Sequence, residues 1–327
     1  MTTLSVPPAT EEYVELTTVP RRHPLRWVSA IVLVGLGAYL LADVFTNPRF
    51  GWDVVSLYLR DVSIFHGLVT TLVLTVVCMA IGIALAVLLA VMRLSPNPVV
   101  RTFAFGYVSF FRGTPVLVQL LFWFNLAALY PVLTFGIPGV HLDANTLITP
   151  FIAAVLGLGL NEAAYMSEIV RAGILSVDHG QNEAASALGL TRGQTLRRIV
   201  LPQAMRVIVP PTGNEVIGML KTTSLVSVLA VHELLFSAQI IYAKNFETIP
   251  LLIVASIWYI AVTTVLGIGQ YYLERRYARG NRNLPPTPLQ QLRKFFRTHA
   301  PLERSADRKS TRLNSSHTDI SRMPSSA

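Results

Sequence analysis

Long apolar stretches alternate with short polar segments along most of the chain. A helix that crosses a hydrocarbon core of about 30 Å needs about 20 mainly apolar residues. Six stretches reach this length: 27–46, 67–92, 102–133, 149–173, 207–235 and 249–272. Polar, Gly or Pro residues interrupt the third and the fifth, so we expect these two to be bent or broken. The pattern therefore predicts an all-α membrane protein with about six transmembrane helices.

The composition supports a membrane protein and excludes several other classes. Hydrophobic residues make up 52% of the 327 residues and charged residues only 14%, whereas a soluble domain carries about 25% charged residues. The single cysteine, Cys78, lies in an apolar run, which excludes a disulfide framework or a Cys-rich metal site. The net charge of +9 comes largely from short loops between apolar stretches. A membrane charge bias explains it better than binding to nucleic acid.

The positive charges also predict the orientation. Loops on one side of the predicted membrane carry fourteen Lys and Arg residues, and loops on the other side carry three. Cytoplasmic loops accumulate Lys and Arg, so we expect both termini and the loop 174–206 in the cytoplasm. Residues 1–24 are polar and predict a disordered N-terminus. Residues 279–307 are interpreted as a cytoplasmic tail, and 308–327 as non-native read-through.

The longest loop on the cytoplasmic side, 174–206, contains residues that typically begin and end two short helices. Asp178 is a suitable N-cap for the first, which Gly189 would end. Thr191 is a suitable N-cap for the second, and Pro202 would mark its end. Such a pair would form a compact knob outside the membrane, exposing Ala184, Ala185 and Ala187. By composition alone, an amphipathic loop lying on the bilayer is the alternative.

The residues of this loop resemble the EAA loop of the permease subunits of bacterial ABC importers. The matching positions are Glu183, Ala184, Ala185, Gly189, Ile199, Leu201 and Pro202. Flanking segments are similar to polar amino acid permeases of the histidine, glutamine and arginine type: RGTPVLVQ at 112–119, NEAAYMSEIVRAGI at 161–174 and LKTTSLVSVL at 220–229. The resemblance covers about 63–278, which leaves 25–62 as an extra N-terminal helix and external loop.

The resemblance implies a type I ABC importer transmembrane domain, with a five-helix core, in the inner or plasma membrane. It implies a second permease subunit, identical or related, two ATPase subunits that use ATP and Mg, and an extracytoplasmic substrate-binding protein. The cargo would be a polar amino acid, with an opine or compatible solute as the alternative. The chain itself would bind no cofactor or metal and would not be an enzyme.

The family assigns the EAA loop to coupling with the ATPase. Glu183 would offer a charge-assisted hydrogen bond, and the alanines would allow close packing. The chain has no Walker loop of its own, because Met219 follows Gly213 and Gly218 where the phosphate-binding Lys is needed. The ATPase is therefore expected to be a separate chain.

Polar residues at membrane depth are functional candidates, because a charge near the midplane costs at least about 2.5–3.5 kcal/mol. Asn161, Tyr165 and Glu168 share one helical face, and Glu168 is spaced to pair with Arg171. Glu162 would meet a cationic group of the cargo, or else Arg112 or Lys221. The candidate path consists of Arg112, Gln119, Asn161, Glu162, Tyr165, Glu168, Lys221, Thr222 and Ser224.

Each of these positions also has a structural interpretation. Arg112 precedes a Gly-Thr-Pro break, where it would either bind a cargo carboxylate or clamp the broken helix. If the external binding protein sets specificity, all the candidates are structural or gating groups. The rival class is a secondary transporter or channel, which predicts repeat symmetry between the halves and leaves the EAA spacing unexplained.

Overall fold

The computed structural model describes residues 24–134 and 141–277, and nearly all of this part is helical. The helices are α1 (Pro24–Thr46), α2 (Trp52–Tyr58), α3 (Val62–Arg93), α4 (Pro98–Gly113), α5 (Val116–Phe124), α6 (Leu126–Leu129), α7 (Ala144–Leu147), α8 (Pro150–Leu175), α9 (His179–Ala187), α10 (Arg192–Thr195), α11 (Leu201–Thr222), α12 (Leu234–Asn245) and α13 (Thr248–Tyr277). Short 3₁₀ segments cover Pro48–Phe50 and Thr223–Leu229, and a π turn covers Leu196–Val200. Strands β1 (Val132–Leu133) and β2 (Leu142–Asp143) pair antiparallel.

The all-α prediction is confirmed for these residues. The predicted disordered N-terminus, apart from Pro24 in α1, lies outside them, as do the predicted tail and read-through.

Three helical segments are long and apolar enough to cross a membrane: Val28–Thr46, Val62–Arg93 and Thr248–Tyr277. Two bent pairs pass the same test together, α4 with α5 at 102° and Arg192–Leu229 with α12 at 45°. The described part therefore offers up to five spans by length and composition, and the predicted count of six is not confirmed. The predicted fourth span, α8, is absent from this set because it carries polar and charged residues among its apolar ones.

Both predicted breaks are present. The third stretch is interrupted at Thr114, which is extended (φ −114°, ψ 143°) ahead of Pro115. A proline disfavours helical geometry in the residue before it, so the chain turns here. The fifth stretch leaves the helical path at Ala230, whose φ is +57°. Glu233 then caps α12, because its carboxylate accepts hydrogen bonds from the backbone N–H groups of Leu235 and Phe236.

Helix α8 packs against α3, α4, α5 and α11. Glycines allow these helices to approach closely. A Cβ placed on Gly82 of α3 would stand 2.7 Å from Cγ of Glu162, and a Cβ on Gly157 would stand 2.6 Å from Cδ2 of Leu120. Helix α8, which carries Glu162, Glu168 and Arg171, is therefore packed against four other helices.

Candidate functional site

A cavity of about 460 Å³ lies where the break between α4 and α5 faces α8 and α11. We call it the central cavity. Five of the predicted path residues line it: Arg112, Asn161, Glu162, Tyr165 and Thr222. The rest of the lining is Gly113, Thr114, Pro115, Val116, Leu158, Glu215, Gly218 and Met219. The structure thus brings together residues that are about 50 positions apart along the chain.

Two amide side chains hold the break in shape. The buried nitrogen of Gln119 lies 3.0 Å from the carbonyl oxygen of Phe111 and 2.7 Å from Oγ1 of Thr114. Asn161 donates to the same Phe111 carbonyl at 2.9 Å and to Oε1 of Gln119 at 3.2 Å. These bonds satisfy backbone groups that the break releases from the helix. Gln119 and Asn161 therefore stabilise the break, and the two roles predicted for Arg112 stay open.

The charged groups of the central cavity differ in their surroundings. The guanidinium carbon of Arg112 lies 5.1 Å from the centre of the Tyr165 ring, a cation–π arrangement. Glu162 is only 5% exposed, and its Oε1 atom has no hydrogen-bond partner within the described part of the chain. Glu215 of α11 is half-buried on the same cavity. The cavity therefore combines one cation with two carboxylates.

Glu215 was missed by the sequence reasoning. It follows Asn214 within the apolar run of the fifth stretch. A carboxylate inside such a run is itself a signal of function, so the sequence alone is sufficient to make Glu215 a candidate. Its orientation toward the cavity, by contrast, depends on how α11 packs against α8.

Three other predicted path residues lie elsewhere. Lys221 is exposed, and neither Lys221 nor Ser224 lines the central cavity. Glu168 is bound in a cluster of charges at the end of α8. Its carboxylate oxygens lie 2.7 Å from Nη2 of Arg171 and 3.1 Å from Nη1 of Arg93.

The predicted pairing of Glu168 with Arg171 is confirmed, and Arg93 joins it from α3. These are the two ion pairs found among residues 24–134 and 141–277. The alternative pairing of Glu162 with Arg112 or Lys221 is therefore not formed there.

In the EAA segment, residues 174–206, the predicted helix caps and the predicted glycine turn are present. Asp178 caps α9 by accepting a 2.7 Å hydrogen bond from the N–H of Gly180. Gly189 follows α9 with φ of +73°, a left-handed conformation that glycine adopts without strain. Thr191 caps α10 in a complete capping box with Gln194. The local signals in the sequence were sufficient for all three features.

The predicted end at Pro202 is wrong. Helix α10 continues through the π turn into α11, and Pro202 lies in the first turn of α11. The N–H of Leu201 donates to the carbonyl of Leu196, five residues earlier, so the helix is already widened ahead of the proline. The missing N–H of Pro202 is tolerated at this position. Ile199, Leu201 and Pro202 therefore lie on a continuous helical arm, defined here as residues 192–222.

The exposure of α9 also differs from the prediction at one position. Glu183, Ala184 and Ala187 are exposed, but Ala185 is 1% exposed. Helix α9 packs against α10 and the π turn. Ala185 is buried within the EAA segment, and Glu183, Ala184 and Ala187 form the exposed face of α9.

Known transport proteins are similar to most of this chain. The family described as "Binding-protein-dependent transport system inner membrane component" matches residues 79–279. The arginine transport system permease protein ArgU of Corynebacterium glutamicum is 47% identical over 263 residues, covering 80% of this chain and 83% of that protein. The glutamine transport system permease protein GlnP of Escherichia coli is 38% identical over 170 residues, covering 52% and 72%.

A solved structure extends the similarity to the fold. The crystal structure of an amino acid ABC transporter with histidines is 36% identical, with a TM-score of 0.56. The match covers 65% of this chain and 94% of that one.

Proposed function

The chain belongs to the family of binding-protein-dependent transport system inner membrane components, and we propose that its cargo is a cationic amino acid of the arginine type. It is a membrane-spanning permease subunit of an amino-acid ABC transporter, with the type I importer fold. The family and fold that the EAA resemblance implied are confirmed. As a transport subunit, it is not an enzyme.

The observation that carries the cargo proposal is the buried carboxylate of Glu162 on the central cavity, with Oε1 unpaired within the described residues. The ionised form of a buried carboxyl group is unfavourable without a partner, so a bound cation would stabilise that charged form. Glu215 adds a second carboxylate and Arg112 a single guanidinium on the same cavity. The lining thus carries one more acidic group than basic groups.

This charge balance favours an amino acid with a cationic side chain. The carboxylate of an amino acid would bind Arg112 through charge-assisted hydrogen bonds. Its α-ammonium would then neutralise one of the two glutamates. A neutral side chain would leave the second glutamate without a counterion, whereas a guanidinium or ammonium side chain would pair with it. The arginine permease of Corynebacterium glutamicum, 47% identical, is consistent with this cargo.

The EAA segment is proposed to couple the cavity to a separate ATPase that uses ATP and Mg. Glu183 and Ala184 lie on the free face of α9, and Gly189 is exposed beside it. The helical arm that follows contains Glu215 and extends to Thr222, both on the cavity lining. A rigid-body movement of the docked segment would therefore reach the cavity through one continuous helix.

The remaining partners are proposed from the family. They are a second permease subunit, identical or related, and an extracytoplasmic substrate-binding protein. We also propose that the EAA segment and both termini lie in the cytoplasm, because Lys and Arg concentrate in the loops on that side.

The test is ATP-dependent uptake of labelled arginine by the complex of this chain with its partner subunits in lipid vesicles. Unlabelled lysine, glutamine and glutamate are added as competitors. We expect arginine and lysine to compete strongly, glutamine weakly and glutamate not at all. Equal competition by glutamine and arginine would contradict a cationic cargo, and glutamate as the strongest competitor would reverse the charge argument.

A further inference from the structure

A second cavity, of about 330 Å³, lies where α3 ends, α4 begins and α8 approaches its last turns. We call it the arginine cavity. Its lining residues are Arg93, Leu94, Arg101, Thr102, Phe105 and Arg171, so three of the six are cations and none is acidic. It shares no lining residue with the central cavity. The path proposed for the cargo therefore does not account for it.

The arginine cavity has an excess of positive charge. Arg93 and Arg171 both contact the single carboxylate of Glu168, at 3.1 and 2.7 Å. Arg93 also lies 5.2 Å from the centre of the Phe105 ring. One carboxylate balances one of the three cations, which leaves two positive charges facing the cavity. The side chains of Arg93 and Arg171 are 16% and 31% exposed, so water screens them less than fully exposed charges.

Arg101 occupies a position that is unfavourable for a cation. It lies in the first turn of α4, after the N-cap Asn97. The N-terminal end of a helix carries partial positive charge, which repels a cation and attracts an anion. Arg101 forms no ion pair with any residue in 24–134 or 141–277. An anion beside Arg101 would interact favourably with both the guanidinium and the helix end.

The surroundings of the cavity indicate the kind of anion. Two residues of the lining are exposed apolar side chains, Leu94 (39%) and Phe105 (57%), and Phe105 shares a face of α4 with Arg101. Basic residues next to exposed aromatic and aliphatic ones are typical of a helix at a membrane interface. A small soluble anion would use the arginines alone. A lipid would use both surfaces at once.

We infer that the arginine cavity binds the phosphate group of an anionic phospholipid, whose acyl chains begin against Leu94 and Phe105. The inference rests on the proposed placement of this end of α3 and α4 at the cytoplasmic membrane surface. Basic pockets between transmembrane helices on that side are suited to lipid headgroups. The bound headgroup would connect α3, α4 and α8 through their arginines.

The experiment is a lipid titration of the full chain, purified in detergent with its partner subunits, followed by native mass spectrometry. Phosphatidylglycerol, phosphatidylcholine and inorganic phosphate are titrated separately. We expect phosphatidylglycerol to bind more tightly than phosphatidylcholine. Arg101→Gln should weaken phosphatidylglycerol binding about fivefold, the factor associated with one cation near a membrane surface. Arg101→Lys should retain most of the affinity.

The matched control is Arg60→Gln, which removes an exposed arginine that does not line the arginine cavity. Unchanged phosphatidylglycerol binding in Arg101→Gln, or an equal loss in Arg60→Gln, would overturn the inference. Arg101-dependent binding of inorganic phosphate without binding of phosphatidylglycerol would also overturn it, in favour of a free anion. The uptake assay tests the cargo proposal independently of the lipid titration. If the wild-type complex imported no cationic amino acid, the cargo proposal would fail, but Arg101-dependent lipid binding would still support the arginine cavity as a lipid site.

Discussion

Gly82 of α3 leaves the space that Glu162 occupies beside the central cavity, and an alanine there tests that packing directly. The added Cβ would stand 2.7 Å from Cγ and 3.0 Å from Cβ of Glu162. Favourable carbon–carbon contacts lie at about 3.5–4.0 Å, so Glu162 or the helices must move by roughly 1 Å. Overpacking of this kind costs about 1–3 kcal/mol, because Cβ of Glu162 is fixed to the backbone and cannot rotate away.

The assay is thermal unfolding of the purified complex together with arginine uptake in vesicles. Gly82→Ala should unfold at a lower temperature and import arginine more slowly, since the cavity carboxylate is displaced. The control is Gly106→Ala in α4, where an added Cβ meets no described atom within 4 Å. Alanine is a better helix former than glycine by about 1 kcal/mol, so this variant should be no less stable than the wild type.

A second substitution separates a steric effect from other causes. Glu162→Ala removes the Cγ atom that the new methyl group approaches most closely. The stability cost of Gly82→Ala should therefore shrink in the Glu162→Ala background, as a double-mutant cycle measures. Unaltered stability of Gly82→Ala, or the same loss with and without the Glu162 side chain, would refute the packing described for this site.

Three further predictions concern the break, the charge cluster and the EAA segment. Gln119→Leu should lower stability by about 1–3 kcal/mol, because Thr114 and the Asn161 amide each lose a hydrogen-bond partner. Gln239→Leu, which breaks no such bond in the described residues, should cost less, and equal losses in thermal unfolding would contradict the assignment. Glu168→Gln should lower the free energy of unfolding by about 1 kcal/mol, because it weakens two partly exposed ion pairs. The difference from wild type should shrink in high salt, and a difference independent of salt would count against an electrostatic origin. Glu183→Arg should leave the subunit in the membrane but uncouple the ATPase from uptake, and retained substrate-stimulated ATP hydrolysis with normal uptake would exclude Glu183 from coupling.

The features that were predictable from the sequence are those with local causes. Asp178 and Thr191 cap helices through hydrogen bonds to residues two or three positions away. The break at Pro115 likewise depends on the steric effect of the proline on Thr114. Such signals act within one turn of chain, so the sequence displays them directly.

The errors and omissions have non-local causes. The sequence predicts a helix end at Pro202, but a π turn ahead of it accommodates the missing donor, and proline alone does not reveal such a turn. The sequence did not single out Glu215, which the packing of α11 turns toward the central cavity, while Lys221 is exposed outside that cavity and its place on the cargo path stays a prediction. The contact of Arg93 with Glu168 joins residues 75 positions apart. These outcomes depend on which faces of the helices meet.

The most direct test of the cargo assignment is the ratio of arginine to glutamine uptake in Glu215→Gln. The substitution keeps the shape of the side chain but removes one of the two carboxylates on the central cavity. A charge-assisted hydrogen bond contributes about 1.5–3 kcal/mol, so the ratio should fall at least about tenfold. Glu247→Gln, which removes a carboxylate outside the cavity, should leave the ratio as in the wild type. A Glu215→Gln complex that prefers arginine as strongly as the wild type would contradict the assignment of this cavity to a cationic amino acid.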